Sequence, residues 1–310
     1  MLNYLKHPDY KTSVFTGIIV GGTSVIVGAI LSFTNIWTAL GIVVSIGFIV
    51  WAFMRSEVAL WATIIISCLI PFGTLPVKLI ITPTLLDLTI IAIYLVFLAV
   101  YIPKSYRILT YTPVHIPIMV FILLSILSFI LGLGNAAHPP NIIRKFTVFI
   151  LNVGLSIIIV EQINEVHLVK KMLKIIVYSG FAAAAIGIAL YFLPSDLSQQ
   201  ILNYFGVLNY PTGNVLRYIE DNPENPLRAI GTSVDPNIFG GLLAVIGTIL
   251  LPQVIAKNSL SKNKLTNVFM LITITFALFL TYSRTAMTSF LISTILILFT
   301  KNRQLLWVVL

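Results

Sequence analysis

An arginine between two short apolar runs is the residue that most clearly suggests chemistry. Arg284 separates the apolar runs 268–282 and 285–299. Each run gives only about 22 Å of helix at 1.5 Å per residue, so a tight turn would hold Arg284 at or just below a membrane surface. A charge at that depth is costly unless it reaches water or meets an anion. Arg284 is therefore an interfacial anchor or an anion ligand, and we favour the ligand.

A second group of residues closes a long polar loop and opens an apolar run. It contains Arg228, Gly231 and the tripeptide Asp235-Pro236-Asn237. Asp235 can cap the helix that follows, with Pro236 at its first position. Capping does not account for Arg228 or Asn237. Because the exposed amides of a helix N-terminus attract anions, we take Arg228 and Asn237 as further candidate ligands.

Other candidate residues precede the apolar run 146–160 or lie in the long loop. Arg144 and Lys145 come directly before that run, and Arg217 lies in the loop. His138 is the only histidine on the predicted outer side of the membrane, which makes it a candidate acid or base. An ordinary loop histidine is the alternative interpretation.

Asp87 is the only acidic residue inside an apolar run. Acidic groups within a membrane are usually functional, because burying an unpaired charge there is costly. The segment 82–84 can, however, start a helix, which would leave Asp87 near the favourable N-terminal end of the helix dipole. Both interpretations remain open at this point.

Long apolar runs must position these residues. Hydrophobic residues make up 58% of the 310 residues and charged residues only 9%, against roughly 25% charged in soluble domains. This composition excludes a soluble enzyme, a disordered chain and a nucleic-acid-binding domain. Since the runs are continuous rather than alternating, they predict helices and not a barrel. The runs are 14–33, 36–54, 58–73, 79–102, 114–133, 146–160, 175–193, 237–255, 268–282 and 285–300.

The predicted fold class is therefore all-α, a polytopic transmembrane bundle with about ten complete spans in a single integral membrane domain, 1–310. The apolar segment 305–310 is too short to cross a bilayer. We expect it to be the start of an eleventh span in a longer chain, with a short interfacial tail as the alternative.

The basic residues predict the orientation. The formal net charge is +9, and thirteen of the 19 basic residues fall in inner segments if the N-terminus is cytoplasmic. This distribution follows the positive-inside rule. It predicts a multi-pass protein of the cytoplasmic membrane. Most of the positive net charge is then explained by the orientation of the chain in the membrane.

One loop, 194–236, is much longer than the others and is predicted to be extracytoplasmic. Its first part carries apolar residues near helical spacing, which predicts an amphipathic helix on the membrane surface. These residues are Leu197, Ile201, Tyr204, Phe205 and Leu208.

Motifs of soluble catalysis are missing from the sequence. It has a single cysteine, Cys68, no Walker A pattern, and no His, Cys or Asp cluster with metal-ligand spacing. We therefore expect no cofactor, no metal ion and no nucleic-acid partner.

The order of the arginine motifs resembles the O-antigen ligase and polysaccharide polymerase family of membrane glycosyltransferases. That family has an Arg, a Gly and a Pro-Asn at the start of a span, as in Arg228, Gly231 and Pro236-Asn237, and a Ser-Arg one hairpin later, as in Ser283-Arg284. The motifs cover about 228–300. The long external loop and the order of spans are also similar.

The resemblance implies a reaction at the outer membrane face. A glycan carried on a polyprenyl diphosphate lipid is transferred to a hydroxyl of a glycan or lipid acceptor, without metal or nucleotide. It implies that Arg228 and Arg284 face the diphosphate, and Arg217, Arg144 and Lys145 can join them. Members often carry a later His-Asn pair at the catalytic base, and no His-Asn occurs here. The base is therefore not assigned, and His138 and Asp235 are stand-ins.

A secondary transporter or flippase of a polar or anionic solute is the alternative function. Transporters place ionisable groups near the membrane midplane, where only Asp87 is a candidate. The arginines gather instead at the predicted outer face, which favours surface chemistry. A purely structural subunit would leave Arg284 unexplained. The sequence leaves open whether the enzyme is a polymerase or a ligase.

Overall fold

The computed structural model describes six stretches of the chain, together with a few isolated helical residues. The chain divides into two units, Met1–Val50 and Trp51–Leu310, and all six stretches lie in the second. His138, the segment 305–310 and almost all of the first two predicted runs lie outside the described residues. The stretches are 57–74, 83–101, 112–134, 140–163, 165–255 and 263–301, and the isolated residues are Gly21, Ser24, Gly28, Gly47 and Trp51.

Each of the other eight predicted runs contains a helix, so the described chain is mostly helical, and a ninth described helix lies in the long loop. We number these helices in chain order. They are α1 (Glu57–Leu69), α2 (Leu85–Tyr101), α3 (His115–Gly132), α4 (Pro140–Gln162), α5 (Val166–Phe192), α6 (Ser195–Tyr204), α7 (Pro236–Ile255), α8 (Lys264–Leu280) and α9 (Arg284–Lys301).

Four of these helices, α3, α4, α5 and α7, are long and apolar enough to cross a membrane. Helices α1, α2 and α8 and the apolar part of α9 are shorter. These helices indicate a helical membrane protein. The number of ten spans, the cytoplasmic N-terminus and the single domain over 1–310 stay predictions.

Helix α4 begins at Pro140, six residues before the predicted run 146–160. Proline is favoured at the first helical position because it has no N–H to leave unpaired and its φ is already helical. As a consequence, Arg144 and Lys145 lie within α4. The expectation that they precede this helix was wrong, and their location on the outer side stays a prediction.

Helix α7 lies at the centre of the packing. It contacts α5, α8 and α9, while α5 also contacts α1 and α8. On α7 the fully buried residues Phe239, Leu243, Ile246 and Leu250 follow helical spacing, so a single stripe of α7 faces the core. Helix α4 instead packs against α2 and α3.

The long loop after α5 has structure of its own. It holds α6, a short 3-10 helix at Phe205–Leu208, and a two-residue antiparallel pair, β1 (Arg217–Tyr218) and β2 (Leu227–Arg228). On α6, Ser198 and Leu202 are buried, whereas Leu197 and Tyr204 are exposed. The helix therefore has one face on the protein and an exposed side that carries apolar residues. Its location at the membrane surface stays a prediction.

The loop is anchored to the turn between α1 and α2. The Thr74 N–H donates to the Leu208 carbonyl at 2.8 Å, and the Phe72 N–H donates to the Tyr210 hydroxyl at 3.3 Å. Thr74 also pairs with Thr84 directly before α2. The start of α2 therefore lies on the same side of the helices as the long loop.

Candidate functional site

Arg228 joins three separate segments of the chain. Its Nε donates to the Thr281 carbonyl at 2.9 Å, and its Nη2 donates to Oδ1 of Asn237 at 2.9 Å. The adjacent Ala229 N–H donates to the Leu280 carbonyl at 2.8 Å. The end of β2, the start of α7 and the turn between α8 and α9 are thus tied together. We call the residues Arg228, Asn237 and 281–284 the arginine cluster.

The start of α7 is fixed by its cap. Oδ1 of Asp235 accepts hydrogen bonds from the Asn237 N–H at 2.7 Å and the Ile238 N–H at 3.0 Å. Pro236 is the first residue of the helix. The structure therefore shows Asp235 in the capping geometry that the sequence suggested. Because the cap occupies these two amides, they are not open to an anion, and that part of the anion-site interpretation was wrong.

The segment before the cap is held in an uncommon backbone conformation. Gly231 has φ +52° and Val234 has φ +61°. A β-branched residue at positive φ is a strong outlier, and such strain persists only where the surroundings enforce it. It allows the chain to turn sharply between Arg228 and Asn237, which brings these two side chains together.

A close approach between α7 and the α8–α9 turn completes the cluster. A Cβ atom on Gly240 would lie 3.0 Å from Oγ1 of Thr281 and 3.1 Å from the Cβ atoms of both Ser283 and Ala286. Only a glycine leaves α7 this near to the turn without a displacement. Gly240 therefore sets the position of Asn237 relative to the turn.

The turn between α8 and α9 is tight and largely buried. Thr281 is fully buried, and its Oγ1 donates to the Leu278 carbonyl at 2.7 Å and accepts from the Ser283 N–H at 3.2 Å. Arg284 is the first residue of α9 and is exposed. Its guanidinium makes no hydrogen bond or ion pair with any described residue. The predicted tight turn beside Arg284 is present, and Arg284 stays available to a ligand.

Arg217 lies directly across the β pair from Arg228. The Cα atoms of the two residues are register partners, and Arg217 is exposed. Side chains directly opposite in an antiparallel pair are close neighbours, and like charges there repel each other. In the described residues no carboxylate forms an ion pair with Arg217, Arg228 or Arg284. Three arginines therefore lie on neighbouring segments without a carboxylate in direct contact.

Arg144 has a different environment. Its Nη1 binds Oδ2 of Asp87 at 2.7 Å, across the contact between α2 and α4. Oδ2 of Asp87 also accepts from the Thr84 N–H at 2.9 Å, while the Asp87 N–H donates to Oγ1 of Thr84 at 3.0 Å. These reciprocal bonds form a capping box at the start of α2. The structure supports the interpretation that Asp87 lies at a helix start. Lys145, next to Arg144 in the sequence, is exposed.

Two tyrosines were not found from the sequence, one within the arginine cluster and one near it. Tyr191, in the last turn of α5, lines a small cavity with Arg228. Tyr282 has φ +51° and is 40% exposed. A non-glycine residue at positive φ beside Ser283-Arg284 would have drawn attention to Tyr282, but φ is not visible in a sequence.

Apolar grooves run along α4. One, of about 390 Å³, lies between α2 and α4 and includes Asp87 and Arg144 at its polar end. The other, of about 480 Å³, lies between α3 and α4 and carries four phenylalanines. Both have the size of a small-molecule site. Within the described stretches no group of three or more His, Cys, Asp or Glu residues has the arrangement of a metal site.

Comparison with known proteins gives no match, whether with family models, with curated proteins or with solved structures.

Proposed function

We propose that this chain is an integral membrane glycosyltransferase that acts on glycans carried by a polyprenyl diphosphate. In this proposal the chain crosses the cytoplasmic membrane about ten times, its N-terminus is cytoplasmic, and the arginine cluster lies at the outer face. The acceptor is a glycan, for a polymerase, or a lipid-anchored acceptor, for a ligase. The proposal concerns cell-surface polysaccharide synthesis.

The observation that carries the proposal is the set of partners around Arg228. The guanidinium is oriented by a carbonyl oxygen and an amide oxygen, both neutral. It therefore keeps its full positive charge while its geometry is fixed. Arg217 lies opposite and the unpaired Arg284 follows the same turn. A dianionic or trianionic group such as a diphosphate would relieve the repulsion and accept paired N–H bonds from the guanidinium planes.

The chemistry of glycosyl transfer matches such a cluster. The acceptor hydroxyl oxygen forms a bond to the anomeric carbon while the bond from that carbon to the diphosphate oxygen breaks, and the diphosphate leaves with the electron pair. Negative charge therefore grows on the diphosphate in the transition state. Preorganised arginines at that position stabilise the transition state more than the ground state.

The hydroxyl proton must pass to a base that we leave unassigned. His138 lies outside the described residues. Asp235 uses Oδ1 for the helix cap, which leaves Oδ2 as its free oxygen. Asp235 therefore remains a stand-in for the base.

The ion pair of Asp87 weighs against the transporter alternative. A coupling carboxylate in a transporter must gain and lose its ion or proton. Asp87 is instead bound by Arg144 and by the Thr84 N–H, an arrangement that stabilises one fixed state. With Asp87 in a structural role, a transport function has less support than surface chemistry.

Glycan profiling after deletion of the gene tests the proposal. A polymerase mutant should accumulate single repeat units. A ligase mutant should keep full-length chains on the lipid carrier and lose them from the final acceptor. Unchanged glycans in the deletion strain would contradict the proposal, and a simultaneous loss of solute uptake would favour the transporter.

Complementation tests the cluster itself. Arg284→Ala should behave like the deletion at a normal protein level, because removing one such donor typically costs about 10²–10³-fold in rate. Lys170→Ala is the matched control. Lys170 is an exposed cation near the start of α5, whereas the end of α5 lies near the arginine cluster. It should restore the wild-type profile. Restoration by Arg284→Ala as well would remove Arg284 from the site.

A further inference from the structure

The groove between α3 and α4 lies outside the arginine cluster. It measures about 480 Å³ and is lined by four phenylalanines, one leucine and two serines. Helix α4 packs against α2 and α3, whereas the cluster belongs to the β pair, the start of α7 and the turn between α8 and α9. A ligand in this groove would therefore occupy a site of its own.

The phenylalanines of the groove contact one another across it. The rings of Phe129 on α3 and Phe146 on α4 are stacked, with their centroids 4.0 Å apart. Phe121 on α3 meets Phe149 on α4 edge to face at 6.1 Å. Such ring pairs stabilise a defined arrangement beyond the burial of their area. The apolar walls of the groove are therefore in place before a ligand enters.

The size of the groove fits a hydrocarbon chain and not a helix. From Phe121 to Phe129 the groove follows α3 over about 12 Å at 1.5 Å per residue. A helix 10–12 Å across occupies roughly 1,000 Å³ over that length, about twice the volume of the groove. A single chain of a lipid is therefore a better occupant than a helix of a partner protein.

A cation lies at one end of the groove. Lys145 precedes Phe149 by four residues on α4, so the two side chains lie on the same face of the helix. Lys145 is exposed, and no carboxylate in the described stretches forms an ion pair with it. Arg144 differs, because Asp87 neutralises it where α4 meets α2. The positive charge of Lys145 would be balanced by an anionic lipid headgroup.

A hydroxyl lies in the groove at the level of Lys145. Ser128 and Lys145 each come directly before a member of the stacked ring pair, so both lie within about 1.5 Å of that pair along their helices. Ser125, also in the groove, donates to a backbone carbonyl of its own helix at 2.8 Å, a common bond for serine in a helix. Ser128 makes no hydrogen bond with any described residue. Its hydroxyl can therefore donate to a ligand.

We propose that this groove binds a diacyl glycerophospholipid with a net negative headgroup. The headgroup phosphate lies at Lys145, Ser128 donates to an ester carbonyl, and one acyl chain lies against the phenylalanines. Because lysine extends its ammonium group away from apolar surroundings, the cation reaches beyond the serine, as the phosphate lies beyond the ester in such a lipid. A polyprenyl phosphate offers no ester to Ser128. The site does not depend on the proposed function.

Native mass spectrometry of the purified full chain in detergent tests this site with two lipids that have the same acyl chains. Dioleoylphosphatidylglycerol is anionic, whereas dioleoylphosphatidylcholine is zwitterionic, and the wild type should bind the first more tightly. Lys145→Gln should weaken phosphatidylglycerol binding about fivefold and leave phosphatidylcholine binding nearly unchanged. Lys145→Arg keeps the charge and should keep the preference. Lys170→Gln is the matched control, since it removes an exposed cation from α5.

A second pair of variants tests the hydroxyl. Ser128→Ala should weaken the binding of both lipids about threefold, because both carry ester carbonyls. Ser125→Ala is the control in the same groove. Its hydroxyl is already bonded within α3, so its removal should leave the binding of both lipids unchanged.

The other outcomes would overturn this site or its occupant. Equal binding of the two lipids to the wild type, or equal effects of Lys145→Gln and Lys170→Gln, would remove the anionic site. Farnesyl phosphate that binds more tightly than phosphatidylglycerol and is insensitive to Ser128→Ala would assign the groove to an isoprenoid chain. A dimer that dissociates in Lys145→Gln would assign it to a second copy of the chain. Each of these results would leave the proposed function of the arginine cluster untouched.

Discussion

Arg144 and Arg228 both lie near helix starts on the long-loop side of the helices, but their guanidinium groups have opposite kinds of partner. Arg144 binds a carboxylate, Asp87, at 2.7 Å. Arg228 binds a carbonyl and an amide oxygen, both at 2.9 Å. The first arrangement neutralises a charge, and the second orients a charge and leaves it in place.

This difference teaches how to separate structural from functional arginines in a chain with few charges. An arginine that serves stability is expected to carry its own counter-charge, since an unpaired charge in a membrane protein is costly. Arg228 departs from that expectation, and so do Arg217 and Arg284 in the described residues. An anionic ligand, such as the proposed diphosphate, would account for three such arginines on neighbouring segments.

The largest effect should come from Arg228→Lys. Lysine keeps the charge but lacks the planar fork that reaches both Thr281 and Asn237. We expect glycan transfer to fall about 10²–10³-fold while the melting temperature changes little. Complementation of the deletion strain, with protein levels measured in membranes, gives the readout.

Arg144→Lys is the matched control for that change. It should keep transfer within about threefold, because a lysine still supplies the charge that Asp87 needs. If the two substitutions reduce transfer equally, the distinction between the two arginines is wrong.

The second effect concerns stability and should appear at Asp87 and Arg144. Asp87→Asn or Arg144→Gln alone leaves one charge without its partner and should cost about 2–3 kcal/mol of unfolding free energy. The double variant should recover much of that loss, since neither charge then remains. Thermal unfolding of the four proteins in the same detergent measures the coupling. A transport role for Asp87 would instead predict lost activity in Asp87→Asn with normal stability.

The third effect should come from the close approach at Gly240. Gly240→Ala places a Cβ atom 3.0–3.1 Å from Thr281, Ser283 and Ala286, and these neighbours belong to a tight turn that cannot easily yield. We expect about 10-fold lower transfer, because a shift of a few tenths of an ångström separates Asn237 from Arg228. Gly241→Ala is the control, since nothing lies within 4 Å of a Cβ there. An equal loss in both variants would show that helix propensity, and not the approach, is responsible.

Much of the helical framework follows from the sequence, because length and hydropathy are strong signals in a membrane protein. Helix α7 begins at Pro236, one residue from the start of the predicted run 237–255. The cap by Asp235 follows from local chemistry, since Asp before Pro at a helix start has a known geometry. The contact between Arg228 and Asn237 joins residues that are near in sequence.

The pairing of Arg144 with Asp87 was missed because it is not local. The two residues are 57 positions apart, on α2 and α4, and no periodicity connects them. A search for a basic partner at the same depth as Asp87 could have suggested the pair. The role of the Thr281 carbonyl depends on backbone geometry at a turn, which residue types do not encode simply.

The smallest effect should come from the contact between the long loop and the turn that follows α1, on the Asp87 side of the molecule. Tyr210 is buried, and its hydroxyl accepts from the Phe72 N–H. Tyr210→Phe should lower the unfolding free energy by about 1 kcal/mol. Transfer at neutral pH should stay near normal, because the anchor to the arginine cluster through Ala229 and Arg228 is intact. A large loss of transfer would mean that both anchors position the cluster.

The pH dependence of this anchor sharpens the test. Burial raises the pKa of Tyr210 to about 12, against roughly 10 in an unfolded chain. The folded state therefore holds the phenol proton more tightly, so this contribution to stability is complete below pH about 10 and is lost as the pH rises towards 12. Thermal unfolding of the wild type and of Tyr210→Phe at a series of pH values gives the difference in their unfolding free energies. Because lysines titrate in both proteins, this difference isolates the contribution of Tyr210. The difference should be constant up to pH about 10 and then shrink, and a difference that grows with pH would show that the phenolate, not the phenol, is the bound form.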